Sequence, residues 1–457
     1  MSEAPAYGFY GDDFTGATDT LAHLSRAGFR TMLFFNPPTD AQLEAVGPLD
    51  AIGVASSTRA MGPAAIKAQL TDAGARFAAL GVRLFHYKIC STFDSSPDIG
   101  SIGAAVGALR PFFPNPLLAI VGGQPGPRRY CVFGNLFAAS TIEGDGSASV
   151  VRIDRHPTMA NHPSTPMHEA DLRQHLAAQG LSPIALVDCL SYRPLGDVAS
   201  IDHDSDTDIR AKVAPHLAPD ATAAAVLFDV IDDSHLAIIG RVLAHHSAQA
   251  PLLAVGASSV AQAWAFAKGR GPHANLADGT AQAKRPNEAA VPDLPVFAFA
   301  GSLSPMTTRQ IAAAHSYSTV EIDPDNFNMQ TLGHHVDDIV SRLNAGKHVL
   351  AFTGRSVRSV ASRDETARCA ASLVAAVLAS TRVRRLVVAG GDTSSFIVQE
   401  LGGWGLSYVA TVSEGVAMCR LHADAASLNG LEIALKGGQM GGIDFFEQVL
   451  TSLGPRQ

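Results

Sequence analysis

The sequence predicts an α/β protein of two domains, each built on a mainly parallel sheet and facing the other across a cleft. Three observations carry this. Short apolar runs rich in Val, Ile, Phe and Leu alternate with amphipathic stretches of helical length, the pattern of βα units. The chain has 457 residues, more than the roughly 250–300 that one hydrophobic core ordinarily supports. The alternation breaks once, between Gly269 and Pro295, where Gly, Pro, Ala and small polar residues show no apolar period. A front domain over 1–270, a linker over 271–294 and a rear domain over 295–457 follow.

In chain order, Ala6–Tyr10 reads as the first strand and Gly11–Gly16 as its loop. Ala17–Ala27 reads as a helix ended by Gly28, where a left-handed cap costs glycine least. Thr31–Phe35 resumes a strand, and others are expected at Ala51–Ala55, Arg83–Tyr87, Leu117–Val121, Ile184–Val187, Ala225–Phe228 and Leu252–Val255. After the linker come strands at Val296–Ala300, His348–Phe352, Leu386–Ala389 and Leu431–Leu435, with a helix from Pro305. No repeat of 20 to 50 residues interrupts the scheme.

Composition excludes several classes of function. Hydrophobic residues are 47% and charged residues 17%, which rules out a largely disordered chain. Lys and Arg number 34 against 42 Asp and Glu, a net charge of −8 with no footprint for nucleic acid and no polybasic membrane patch. Cys90, Cys131, Cys189, Cys369 and Cys419 are far apart and form no C-x-x-C pair, so reduced thiols in a cytoplasm are expected. The N-terminus lacks a basic and then apolar leader, and no run of about 18 apolar residues occurs, so neither secretion nor a membrane span is expected.

Chemistry concentrates at predicted strand ends, where open α/β sheets bind ligands. The loop Gly11-Asp12-Asp13-Phe14-Thr15-Gly16 places two carboxylates and a hydroxyl after the first strand. They could deprotonate a substrate hydroxyl or hold Mg²⁺, and one of them could instead cap the helix; two consecutive Asp residues cannot both cap. Arg59 follows the Ala51 strand, and Lys88, Cys90, Ser91, Thr92 and Asp94 follow the Arg83 strand. Singly, Arg59 or Lys88 could be a surface cation. Together they suit an anionic, hydroxylated substrate such as a small polyol acid. Ser91 or Thr92 could alternatively cap the helix that Gly100–Gly103 leads into.

The rear domain carries glycine and hydroxyl turns instead: Gly301–Pro305 with Ser302 and Ser304, Gly354 after Thr353, Gly390-Gly391-Asp392-Thr393, and Gly437-Gly438 after the last strand. Any one of them could simply make its turn. Several in one domain imply a nucleotide site with phosphates on helix N-termini. There is no Walker A pattern and no G-x-G-x-x-G fingerprint, so a P-loop enzyme and an ordinary dehydrogenase are both unsupported. Asp202–Asp208 has calcium-loop acidity without the turn glycine or the twelfth-position Glu, and reads as a solvated loop. His156, His162, His168 and His175 lack metal-site spacing, and Cys90 reads as a packed thiol.

These stretches resemble the four-carbon acid sugar kinase family across nearly the whole chain. Gly11–Asp19 (GDDFTGATD) and Lys88–Asp94 (KICSTFD) are similar to its two acid-sugar motifs. GSLSP at Gly301–Pro305, AGGDTS at Ala389–Ser394 and LKGG at Leu435–Gly438 are similar to its nucleotide motifs. The turn Ser95–Gly100 is longer than the family pattern, Gly438-Gln439 stands for Gly-Asn, and Gly415 lies in SEGVA where the family has S-P-G-V-P. The resemblance implies ATP- and Mg²⁺-dependent phosphorylation of a terminal hydroxyl on a tetronate or 3-oxo-tetronate. The departures are compatible with a branched acid such as 3-oxo-isoapionate. On this reading Arg59 and Lys88 hold the substrate carboxylate, Ser91, Thr92 and Asp94 order its hydroxyls, and Asp12 or Asp13 orients or deprotonates the attacking one. The nucleotide lies on Ser302, Ser304, Gly354, Gly390, Gly391, Asp392, Thr393, Gly415, Gly437 and Gly438, with Asp392 the rival base. A homodimer is the default assembly. The competing readings are an oxidoreductase or aldolase, for which neither a dinucleotide fingerprint nor a Schiff-base lysine site is evident, and a two-lobed sensor that binds without turnover.

Overall fold

The computed structural model describes residues 4–141, 148–162, 164–192, 205–218, 220–270, 294–354, 363–413 and 415–451. Its strands are β1 (Tyr7–Gly11), β2 (Thr31–Phe34), β3 (Ala51–Ala55), β4 (Leu84–Lys88), β5 (Leu118–Val121), β6 (Arg129–Val132), β7 (Asn135–Thr141), β8 (Ala148–Arg152), β9 (Ile184–Val187), β10 (Ala225–Phe228) and β11 (Leu252–Gly256). They continue with β12 (Val296–Ala300), β13 (Tyr317–Ile322), β14 (His348–Thr353), β15 (Arg385–Ala389), β16 (Gly403–Ser413), β17 (Val416–Ala423) and β18 (Glu432–Lys436). Two compact units result, Met1–Thr31 with Pro37–Asn275, and Met32–Asn36 with Leu276–Gln457.

In the first unit the strands run in the order β3-β1-β4-β11-β5-β10-β9, all parallel. Every residue of β1, β3, β4, β10 and β11 is buried, as continuous apolar runs covered on both faces require. Buried among them, His86 lies with Nδ1 2.8 Å from the Tyr7 hydroxyl and Nε2 3.0 Å from Gly256 O. Burial drives its pKa down to about 3, so the ring is neutral and ties β1, β4 and β11 together inside the sheet. A separate antiparallel sheet, β6-β7-β8, is inserted between β5 and β9.

In the second unit the order is β13-β14-β12-β15-β18-β17-β16-β2. The strands from β13 to β18 are parallel, whereas β17, β16 and β2 add antiparallel pairs. Val296, Ala298, Ala300, Leu350, Val387 and Ala434 share one face with Met418, Phe445 and Phe446 in a single apolar cluster.

The apolar runs lie where the sequence places them, within about a residue at each edge, and Gly28 takes φ +79° after the helix Phe14–Arg26. Three features were not expected: the β6–β8 sheet, β13, and the β16–β17 hairpin. β13 alternates buried and exposed residues and β16 is half-buried with Gly and Ser, so neither has a solid apolar run; β17 opens on four buried apolar residues, Val416–Cys419, and was not expected either. The expected linker falls on residues 271–293, outside the described residues, except for Leu294.

Candidate functional site

In the first unit the chain passes from β3 on one side of β1 to β4 on the other. That reversal opens a crevice at the carboxyl ends of the strands. Asp12 and Asp13 follow β1, Arg59 follows β3 and Lys88 ends β4. Backbone bonds lock the three ends: Ser56 N donates to Gly11 O at 3.1 Å, Arg59 N to Asp12 O at 3.1 Å and Asp12 N to Lys88 O at 2.9 Å.

Arg59 spends its fork on the aspartates. Nε and Nη2 donate to Asp12 Oδ2 and Oδ1 at 3.0 and 2.7 Å, and Nη1 stands 3.0 Å from Asp13 Oδ2. Asp13 is the helix cap, its Oδ1 accepting from Gly16 N at 2.8 Å and its Oδ2 from the Thr15 hydroxyl at 2.8 Å. Lys88 is buried with its ammonium against Gly16, where a Cβ would stand 1.8 Å from Nζ; only glycine leaves that space. Burial pushes the Asp12 carboxyl above its usual value although Arg59 pulls the other way. At Asp13 burial acts in the same sense but is outweighed by Arg59, Lys88, the Thr15 hydroxyl and the Gly16 amide, and the carboxyl falls below the usual value. Adjacent carboxylates are thus driven apart, the condition under which one can serve as an acid or base while the other stays a fixed charge.

The loop after β4 is a second polar chain. Cys90 Sγ lies 2.9 Å from Thr92 Oγ1, which donates to Asp94 Oδ1 at 2.5 Å. Burial pushes the Cys90 thiol up to about 11, so it remains a protonated, packed thiol. Ser91 is half-buried beside them. The helix Ile102–Leu109 is capped by Ser101, whose hydroxyl accepts from Ala104 N at 3.2 Å, so neither Ser91 nor Thr92 caps it. His175 reaches this loop, with Nε2 2.9 Å from the Ser95 hydroxyl, and Gln179 Nε2 donates to the same hydroxyl at 2.8 Å. His156 and His162 make local bonds to Ala139 O and Thr165. Among the described residues no three His, Cys, Asp or Glu gather to hold a metal. Of the Asp202–Asp208 stretch, Asp206 and Asp208 lie in the helix Ser205–Val213, where Asp206 pairs with Arg210 at 2.9 Å; residues 202–204 lie outside the described residues.

In the second unit β14, β12, β15 and β18 are adjacent and parallel, so the turns at Gly354, Gly301–Ser304, Gly390-Gly391 and Gly437-Gly438 share one edge. Here too the chain reverses, from β14 on one side of β12 to β15 on the other. Ser304 caps the helix Pro305–Ala312, with Pro305 in its first turn, and its hydroxyl and that of Thr307 stand 2.5 and 2.9 Å from Gly438 O. A Cβ on Gly438 would meet the Ser302 hydroxyl at 2.4 Å. Gly390 has φ +134° and opens the helix Gly391–Glu400, whose first internal bond is Ser394 N to Gly390 O at 2.9 Å. The amides before it are the kind that bind anions at helix starts. The Thr393 hydroxyl lies against Gly301, and Met440 of the last turn packs against Gly415. Side-chain geometry at Asp392, and all of Arg355 and Glu414, fall outside the described residues.

Lys436 sits beneath these turns, fully buried. Its ammonium donates to Gly437 O at 2.9 Å and approaches Thr307 Oγ1 at 3.3 Å and Gly438 O at 3.4 Å. Burial lowers its pKa to about 8.

Residues 7–264 match the sugar-binding N-terminal domain and residues 297–446 the nucleotide-binding C-terminal domain of one family of two-domain proteins. The chain belongs to the four-carbon acid sugar kinase family. Among its relatives, a 3-oxo-isoapionate kinase of Paraburkholderia graminis is 36% identical, with 96% of this chain and 93% of the relative covered. The 3-oxo-tetronate kinase of Cupriavidus necator is 31% identical, with 99% and 98% covered, and that of Methylobacterium radiotolerans 30%, with 98% and 99% covered. A crystal structure of a Haemophilus influenzae protein shares the fold, with TM-score 0.69, 23% identity and coverage of 98% of this chain and 99% of that one.

In this sugar-acid kinase the sequence reading missed Gln179, Thr307, Gln310 and the part played by Lys436. Gln310 Nε2 donates to Met440 O at 3.0 Å and Gly442 O at 2.8 Å, holding the last turn from the side. None of these lies in a glycine motif except Lys436, for which a signal existed: a lysine ending an otherwise apolar strand, as Lys88 does.

Proposed function

We propose that this chain transfers the γ-phosphoryl group of ATP to a hydroxyl of a 3-oxo acid sugar, the first unit binding the acid and the second the nucleotide. The observation that carries the reading is the contrast in kind between the two strand-end sites. One is packed with carboxylates, cations and hydroxyls, whereas the other offers glycine turns and a buried lysine. The more similar relative and the long Ser95–Gly100 turn favour 3-oxo-isoapionate over 3-oxo-tetronate.

In this mechanism Asp12 takes the proton of the attacking hydroxyl: its carboxyl is the one that burial makes more basic, and Arg59 leaves part of its lone-pair capacity unspent. Asp13 stays ionised as the cap and, through Arg59, keeps Asp12 aimed. Ser91, Thr92 and Asp94 order the remaining hydroxyls, and Lys88 supplies positive charge beside them. The phosphates lie on the turns at Ser302, Ser304, Gly354, Gly390-Gly391-Asp392-Thr393, Gly415 and Gly437-Gly438. Mg²⁺ would enter on the phosphates, which suits a site with hydroxyls at Ser302 and Thr393 but no acidic cluster among the described residues, since this ion commonly keeps water and few protein ligands. When bound it neutralises charge on the transferred group. Positioning and electrostatics are most of what phosphoryl transfer asks of a protein. A homodimer in the cytoplasm is part of the same proposal, and no helix among the described residues is long and apolar enough to cross a membrane.

The test is ATP consumption with a panel of erythronate, threonate, their 3-oxo forms and 3-oxo-isoapionate. Turnover with a 3-oxo acid supports the reading; binding without turnover would make the chain a sensor, and a reaction indifferent to ATP would make it another kind of enzyme.

A further inference from the structure

An acid sugar brings a carboxylate that needs a cation, and the two expected cations are spent. All three nitrogens of Arg59 face Asp12 and Asp13, and the Lys88 ammonium is lodged beside Gly16 and Asp13. A third cation stands on the same sheet edge. Arg129 opens β6 and is joined by paired backbone bonds of 3.0 and 2.9 Å to Gln124, three residues beyond the carboxyl end of β5.

Its side chain is half-buried, and its bonding is incomplete. Nη1 donates to Pro127 O at 2.6 Å, while Nε is buried with no partner. No carboxylate among the described residues pairs with it. Other part-buried guanidiniums have charges or carbonyl sets against them: Arg59 has Asp12 and Asp13, Arg173 has Asp171, Arg385 has Glu432 although its Nη2 too is unpartnered, and Arg110 has the carbonyls of Phe113, Asn115 and Pro116. Burial works against the Arg129 charge, and Cys90 of the substrate loop lies within its electrostatic reach but, as a protonated thiol, gives it no counter-charge. The Arg129 field also reaches His156, which is held neutral between Ala139 O and the amides of Thr158 and Met159. A partly desolvated guanidinium without a counter-charge is costly, and an anion from outside would remove that cost.

We propose that Arg129, carried on the β6–β8 insert, takes the carboxylate of the acid sugar and so sets the preference for acids over neutral polyols. This rests on the acid-sugar kinase reading. Wild-type turnover on the acid panel is therefore measured first, and its absence would remove that reading whatever Arg129 does. Next, the acid that turns over is compared with its carboxamide in wild type, Arg129→Gln and Arg129→Lys, with the KM for ATP and the thermal unfolding midpoint recorded for each. Wild type is expected to favour the acid, and Arg129→Gln to raise the acid KM about 10- to 100-fold. The carboxamide KM and the ATP KM should stay put, and Arg129→Lys should restore part of the preference. A wild type indifferent to acid against amide, or an Arg129→Gln enzyme that keeps the full preference or loses both substrates alike, would overturn the proposal. If Arg129→Gln does not fold, the wild-type and Arg129→Lys preferences decide it by the same criterion.

Discussion

In each of the two units an inner strand ends in a buried lysine, and the two lysines live differently. Lys88 closes β4 beside the Asp13 carboxylate, in a crevice that also holds Arg59, Asp12 and Asp94. Lys436 closes β18 among carbonyls, a hydroxyl and the Phe445 ring, 5.7 Å from its centre, and burial draws its pKa down to about 8. The first crevice carries its own counter-charges and can present a defined mixture of acid and base. The second has, among the described residues, a cation with no carboxylate beside it, an arrangement that on the proposed reading a phosphate would complete. On the proposed reading, one edge would sort a substrate by its functional groups, and the other would accept a ligand by its charge.

The sharpest way to break this comparison is Asp12→Asn. General-base catalysis is worth about 10²–10⁴-fold, so kcat should fall by that order with the KM for ATP unchanged. A KM change for ATP instead would mean that the front crevice is not specialised. Next comes Lys436→Met, expected to raise the KM for ATP about 10- to 100-fold while leaving the acid KM alone, from the loss of a charge-assisted contact.

The same lysine gives a pH signature. In wild type kcat/KM for ATP should fall as pH rises through about 8, because the ammonium deprotonates there; in Lys436→Met the profile should be flat over that step. Stability runs the opposite way. The folded value lies below the ordinary 10.5, so the burial cost is fully present below about 8 and is relieved as pH rises towards 10.5. Thermal unfolding across that window checks the sign. The smallest effect is expected from Gly16→Ala, whose methyl would displace the Lys88 ammonium from 1.8 Å. A rise of about tenfold in the acid KM, with ATP unaffected, would tie Lys88 to the sugar crevice alone.

Much of this was legible in advance for a physical reason. A strand buried on both faces must be apolar along its length, so β1, β4, β12 and β15 announce themselves, and the residues just after them fall on the edge where ligands bind. Asp12, Asp13, Arg59, Lys88, Ser302, Gly390 and Gly438 were all placed at strand ends that way, and the structure has them there. The β6–β8 insert was not, because half-exposed antiparallel strands mix polar and apolar residues too freely to stand out, and Arg129 was hidden with it. Nor could spacing reveal that β2, early in the chain, pairs with β16 more than 360 residues later through Leu33 and Leu406.

What the chain determines by itself is therefore the inventory of strand-end groups, since pattern and glycine placement are local properties. What tertiary structure alone decided is the state of each group. Arg59 closes on Asp12 and Asp13, burial and Arg59 push the two carboxyls to opposite sides of their usual value, and Lys436 loses proton affinity, because pairing and desolvation depend on which strands become neighbours, and neighbours in a crossed-over sheet are distant in sequence.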